Sequence, residues 1–435
     1  MRRAIRPVWS VAFSILVWGL PTACSQSPTG QETQTPKVVT QEDINHAVED
    51  ARQTLGMFKK RPKEEQRLIL VNLSNALEAD PSITSDLKNL VRYHPQQFLT
   101  MDPENLKGPD ILKFEFAFQQ VMAIALVPMA VLPNKLQLID PDEAKNRLAK
   151  AVLAKSTDLL SKSHSVGRIE TVTSQGTPQL VGTAFVVKNG YLMTACHVAE
   201  DIAVLDPATA TWKLRTDTYV DFAATFQHSQ SMEYVVQGVQ KISTIRGFDV
   251  AVLQVAAKSR DKSANLPDGL DLDLQVETEQ IPVALVGFPA LDDPQGTQDT
   301  LAMMARLKAA TPNVAKYVSP GQILSSEVHP PFHVLTHVAS TQAGNSGSPL
   351  FSLSPIKVVG IHYCCTGLDA PDKGDCSSTA DINIHTNEAI SAADARALIP
   401  TQTADATQQQ VPAFAAIQFR KPAPKVSDGT GPSNR

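Results

Sequence analysis

Around residue 165 the apolar pattern of this 435-residue chain changes period, and no other feature constrains the fold as tightly. Upstream, apolar residues recur every three or four positions: Ile44, Val48, Ala51 and Leu55, then Leu68, Leu70, Val71, Leu73 and Leu77. The stretch 142–162 repeats the pattern with Leu148, Val152, Leu153, Leu159 and Leu160. Such spacing lines one face of a helix. Thr40 followed by Asp43 supplies an N-cap and a variant capping box for the first of them. Residues 121–132 are more apolar still, with Pro128 inside; they are too short to span a bilayer and read as a buried helix. Downstream, short β-prone runs take over at 169–173, 183–188, 191–195, 250–255, 283–286, 333–337 and 357–362. Gln175-Gly176 closes the first, and Asn189-Gly190 is a strong two-residue hairpin signal. Many short strands without long helices between them predict an all-β barrel or sandwich.

The two ends read differently. Arg2, Arg3 and Arg6 precede an apolar stretch at 8–20, and Thr22-Ala23 place small residues before Cys24. This is the order of an export signal, and an apolar run of that length is too short to cross a membrane. It resembles a bacterial lipoprotein signal, which implies lipidation of Cys24 and a membrane-held protein facing the periplasm or cell exterior; Pro21 stands where such signals carry Leu, and simple secretion and an uncleaved anchor are the alternatives. Residues 25–39 are a Ser/Thr/Gln/Pro-rich tether, and 401–435, rich in Gln, Pro, Thr and Lys, form a disordered tail too short for a PDZ module. A formal charge of -5 without a basic aromatic-laced run gives no footing for nucleic acid.

Peptide hydrolysis by serine requires a hydroxyl nucleophile, an imidazole, a carboxylate to orient it, and donors for the oxyanion. Gly344-Asn345-Ser346-Gly347-Ser348-Pro349 sets glycines on both sides of a serine, which suits a tight turn that exposes the hydroxyl and gathers backbone N–H groups. The imidazole comes from Thr194-Ala195-Cys196-His197, directly after the hairpin strand. Gly247-Phe248-Asp249-Val250-Ala251-Val252-Leu253 supplies an acid at the start of an apolar strand. Neither HEXXH nor paired CxxC spacing is present, so no metal or other cofactor is expected.

By TAxH, DxAVL and GNSGSP in that order, the chain resembles the chymotrypsin-like serine peptidases. The resemblance implies a mainly β fold, a double β-barrel peptidase domain at 165–398 preceded by an all-α domain of unknown role at 40–163. It implies Ser346 as nucleophile, His197 as general base then acid, Asp249 as its orienter, and the N–H groups of Gly344 and Ser346 as the oxyanion hole. Substrates would be proteins or peptides. Asn345 stands where the digestive enzymes have the Asp that pairs with a newly cut amine, so activation of that kind is not expected. TQAGNSGSPLF, VVGIHY and NEAI at 387–390 are most similar to the bacterial glutamyl endopeptidases, which implies Thr341 and His362 as contacts to an acidic P1 side chain. A disulfide from Cys376 to Cys364 or Cys365 is expected near that pocket, with Cys196 a buried thiol. The rival reading is a catalytically silent trypsin-fold binding or scaffold lipoprotein whose helical domain docks a partner.

Overall fold

The computed structural model describes residues 40–400 except 62, 80–82, 107–108, 125, 174, 225–231, 244, 246, 277–280, 292–304, 310–314 and 366–386. The signal, Cys24, the tether, the tail and Cys376 lie outside the described residues, and with them the disulfide expectation.

Five helices come first: α1 (Gln41–Lys60), α2 (Lys63–Ala79), α3 (Ser85–Tyr93), α4 (Pro95–Thr100) and α5 (Pro109–Ile124). Thr40 caps α1 as its spacing predicts, its hydroxyl accepting from the Asp43 N–H while the Asp43 carboxylate accepts from the Thr40 N–H. Their apolar faces meet in one core around Phe58, Phe98, Phe114 and Phe118, whose rings pack with centroids 5.4 to 6.1 Å apart. Each such ring contributes roughly 1.5–3 kcal/mol by burial.

The segment 121–132 is not one helix. α5 ends at Ile124, and Met129–Leu132 form strand β1, which pairs with β2 (Lys135–Gln137) and with Tyr317 and Val318. Pro128 offers no N–H to continue a helix and pushes the residue before it toward extended backbone. All four residues of β1 are buried, so no alternation revealed the strand. The pattern at 142–162 is likewise broken into a 3-10 turn (Pro141–Lys145), α6 (Arg147–Ala154), capped by the Asn146 side chain, and α7 (Ser156–Ser163). Ala149, Val152 and Leu159 share a core with Phe185, Val252, Val286 and Phe351, so these two helices pack on the β region rather than on α1–α5. The β region therefore begins at Met129, ahead of the change in period.

Two six-stranded antiparallel barrels follow. The first comprises β3 (Val166–Val172), β4 (Pro178–Val186), β5 (Tyr191–Thr194), β8 (Thr218–Asp221), β9 (Glu233–Ile242) and β10 (Ala251–Val255), closed in the order β10-β5-β4-β3-β8-β9. After β5 come a short helix, α8 (Cys196–Ile202), and a separate hairpin, β6 (Ala203–Asp206) with β7 (Thr211–Leu214). The second barrel runs β11 (Pro282–Gly287), β14 (Pro349–Ser352), β15 (Val358–Cys365), β16 (Asn387–Ser391), β13 (Phe332–His337) and β12 (Tyr317–His329), closed by β11 against β12. Among the described residues no helix is long and apolar enough to cross a membrane.

Candidate active site

Strand pairing brings the predicted histidine and aspartate together. β5 and β10 are antiparallel with Thr194 opposite Ala251, so the residues just beyond each strand end face one another. His197, in the first turn of α8, sets its Nδ1 2.6 Å from Asp249 Oδ2. The other carboxylate oxygen accepts the His197 backbone N–H at 3.0 Å. One carboxylate thus fixes both the ring and the chain that carries it. The pairing puts the ring proton on Nδ1 and leaves Nε2 as an acceptor. Both side chains are partly exposed, 29% and 18%, as the floor of an open cleft would be.

The serine loop is built from the other barrel and bolted onto the first. Gly344 and Gly347 have φ of +87° and +88°, a backbone region that disfavours a side chain. Space forbids one as well: a Cβ on Gly344 would lie 2.4 Å from the Phe288 carbonyl, and one on Gly347 2.1 Å from the Thr183 carbonyl and 2.3 Å from Thr194 Oγ1. The turn closes through Asn345 N–H to the Gln342 carbonyl and Ser348 N–H to the Asn345 carbonyl. Thr183 of β4 then grips it twice: its N–H donates to the Ser346 carbonyl at 2.9 Å, and its hydroxyl donates to the Gly344 carbonyl at 2.8 Å. The Phe288 N–H donates back to that hydroxyl at 3.2 Å. The Thr194 hydroxyl in turn donates to the Thr183 carbonyl at 2.7 Å beside Gly347 and, because Thr194 immediately precedes the turn into α8, this contact sets the Ser346 loop against the chain that carries His197.

Among the described residues the N–H groups of Gly344 and Ser346 donate to no backbone carbonyl. The Ser346 hydroxyl lies 3.5 Å from the Tyr363 carbonyl, the outer limit of a hydrogen bond. Neighbouring Cys196 is a half-buried thiol; burial first, then the charges of Asp249 and Glu200, raise its pKa, so it is no thiolate nucleophile.

The two residues predicted to meet P1 are held by neighbours on β16. The Thr341 hydroxyl donates to Asn387 Oδ1 at 2.6 Å, and Asn387 Nδ2 donates to the Ala339 carbonyl at 2.7 Å. His362 is buried, its Nδ1 3.2 Å from the Glu388 carbonyl and 3.3 Å from Nε2 of fully buried His337. Burial holds His337 neutral, with its pKa well below the usual histidine value. The Ala339 N–H donates to His337 Nδ1, so the ring proton sits on Nε2 and points at His362 Nδ1. The Glu388 carbonyl can only accept, so His362 Nδ1 either takes the His337 proton or donates its own to Glu388, and the tautomer of His362 follows from which of the two bonds is made. Sequence reasoning missed His337, Asn387 and Thr183; only the inward parity of 333–337 hinted at the first. Among the described residues no cluster of His, Cys, Asp or Glu is arranged to hold a metal.

Residues 182–361 match the family model described as a trypsin-like peptidase domain, a span that contains His197, Asp249 and Ser346. No curated protein matches the chain. Among solved structures it is similar to the Rv3671c protease from M. tuberculosis in its active form, at 17% identity over 60% of this chain and 85% of that one, with a TM-score of 0.32. It is also similar to mouse neuropsin, a serine protease expressed in the limbic system of the brain, at 11% identity over 54% of this chain and 92% of that one, with a TM-score of 0.36.

Proposed function

We propose that this trypsin-like peptidase domain is an active serine endopeptidase. Ser346 Oγ attacks the scissile carbonyl, His197 Nε2 takes its proton and returns it to the leaving amine, and water then cleaves the acyl-enzyme by the same route. Asp249 holds the histidine tautomer, and the N–H groups of Gly344 and Ser346 receive the oxyanion. The observation that carries this reading is the two-oxygen grip of Asp249 on His197, which puts the ring proton on Nδ1 and makes Nε2 the basic nitrogen. The long Ser346 to Tyr363 contact is what favours the rival, a catalytically silent binding lipoprotein. In the peptidase reading the hydroxyl leaves this weak contact when substrate arrives, since such bonds tighten only in the reacting complex.

Thr341 and His362 are proposed to give preference for an acidic P1 residue. An imidazole N–H suits a carboxylate and a carboxamide oxygen alike; protonation of His362 adds the charge that separates Glu from Gln. A P1-varied peptide library on wild type and His362→Ala tests it. The expected result is a Glu-over-Gln ratio that falls by roughly 5- to 150-fold in the variant, the loss of a charge-assisted hydrogen bond. Wild-type preference for basic, aliphatic or aromatic P1, or an unchanged ratio in His362→Ala, removes the acidic pocket and leaves the catalytic assignment standing.

A further inference from the structure

The catalytic groups are divided between the barrels: His197 and Asp249 belong to the first, Ser346 to the second. Whatever fixes one barrel against the other therefore fixes the distance between nucleophile and base. Lys316 stands at that junction. It immediately precedes β12, is fully buried, and reaches its Nζ to the Ser163 carbonyl at 2.7 Å and the Phe222 carbonyl at 3.1 Å. Ser163 ends α7 at the entry to the first barrel, and Phe222 directly follows β8 within it. The Lys316 backbone adds a bond from its N–H to the Ala224 carbonyl and accepts one from the Val131 N–H of β1. Its third ammonium face looks onto the ring of Phe288, with Nζ 5.6 Å from the centroid.

Phe288 joins this node to the reacting groups. Its backbone carbonyl packs directly on Gly344, and its N–H meets the Thr183 hydroxyl that holds the Gly344 carbonyl. Ala290, two residues on, donates to the Ala343 carbonyl at 2.7 Å. The Phe288 ring thus meets the ammonium, while its backbone meets the proposed oxyanion turn.

We propose that Lys316, as an ammonium, is a positioning residue that clamps the two barrels behind the active site and holds Phe288 under the Gly344–Ser346 turn; this rests on the peptidase reading above. Two carbonyls and an aromatic face complete the demands of an NH₃⁺ group, and the ring attracts it only while it is charged. A neutral amine keeps two N–H donors but turns its lone pair toward the electron-rich ring, so the clamp loosens with the proton. Burial brings the amine down to about 7, opposed by Asp221 of β8. The other titratable group facing it is His164, just after α7, whose own pKa is lowered chiefly by burial and further by Lys316. Around neutral pH the clamp is thus poised between its two states.

The test is the rate of Ser346 acylation by a p-nitrophenyl ester, read from the burst of nitrophenol that leaves as the acyl group passes to Ser346 Oγ, measured from pH 6 to pH 9.5 on the full chain, with peptide KM and kcat alongside. Wild type should show a rate that climbs as His197 loses its proton and declines as Lys316 does. Lys316→Met, which keeps the length and removes the donors, should lower acylation and kcat by about 10- to 100-fold with little change in KM, and should lose the declining limb. A residue that only supports the fold would move the melting temperature and leave the shape of the profile alone. Phe288→Leu, which keeps an apolar side chain without the π face, should move the declining limb to lower pH, and it decides the matter if Lys316→Met does not fold. Acylation by Lys316→Met at the wild-type rate and profile, or a limb unmoved by Phe288→Leu, overturns the clamp alone. Wild type that is never acylated at Ser346 overturns the peptidase reading and the clamp with it.

Discussion

Replacing Thr183 by Val probes the bolt between the barrels at the cost of one oxygen atom. The side chain is fully buried, and its hydroxyl accepts from the Phe288 N–H at 3.2 Å and donates to the Gly344 carbonyl at 2.8 Å. Valine fills the same space, so no cavity term enters. What remains is one buried donor and one buried acceptor without partners, at roughly 1–3 kcal/mol each, or about 2–4 kcal/mol together once the main chain relaxes. Folding stabilities of about 5–15 kcal/mol leave the variant folded at room temperature. The Thr183 N–H to Ser346 carbonyl bond survives, so the loop stays in place while the Gly344 end of the turn loses its tether. Loss of a single oxyanion donor costs about 10²–10³ in turnover, and a drifting donor should forfeit a large part of that. Urea unfolding monitored by circular dichroism gives the stability, with an unchanged m-value as the check on two-state behaviour. The second-order rate with a fluorophosphonate gives the chemistry. Thr183→Ser, which keeps the hydroxyl, should remain close to wild type in both. Wild-type stability in Thr183→Val would mean that the two bonds are not made. A stability loss without a rate loss would mean that the hydroxyl does not hold the oxyanion turn.

Glu143 meets Arg61 at 2.6 Å deep between α1 and the 3-10 turn, and burial, outweighing that arginine, raises its carboxyl to about 7. A pKa raised on folding gives stability that is full below the unfolded value near 4.5 and is lost as pH rises through about 7, at up to about 1.4 kcal/mol per pH unit. The stability difference between wild type and Glu143→Gln should therefore shrink from pH 4.5 to pH 7 and then level off; a difference constant with pH refutes that titration. If the lipoprotein-like pattern at 1–24 is read by the cell as such a signal, Cys24→Ser moves the protein from the membrane fraction to the soluble periplasm. Intact mass should give a mature chain beginning at residue 24 with added acyl mass, and any other start without acyl mass refutes the anchor.

Much of this was legible because the residues concerned act locally. The β-prone runs and turn residues at 169–195 mark the β3–β4 and β4–β5 hairpins locally, though the second closes through a 3-10 turn at Lys188–Gly190 rather than a two-residue loop, and GNSGSP needs its glycines because no Cβ fits at 344 or 347. The limits were reached where burial is two-sided or partners are distant. Met129–Leu132 is buried on both faces, so it showed neither period, and one of its two strand partners lies far along the chain at Tyr317. Strands such as β8, β9 and β12 escaped notice for a related reason: their pairing, rather than their own pattern, makes them strands. Asn387 reads as an ordinary polar residue until β16 sets it against Thr341, and Lys316 as an ordinary surface cation until its burial is seen. A sequence displays composition and spacing, whereas desolvation and cross-barrel contact exist only once the chain has closed.

The most direct measurement of the central claim is to treat the full chain with a fluorophosphonate and locate the adduct by peptide mass spectrometry. The account predicts a single stoichiometric adduct on Ser346, abolished in Ser346→Ala, and strongly slowed in His197→Ala because the base that activates the hydroxyl is gone. Circular dichroism should show both variants folded. No adduct on folded wild type, an adduct on another residue, or labelling of Ser346 that is indifferent to loss of His197 would contradict it.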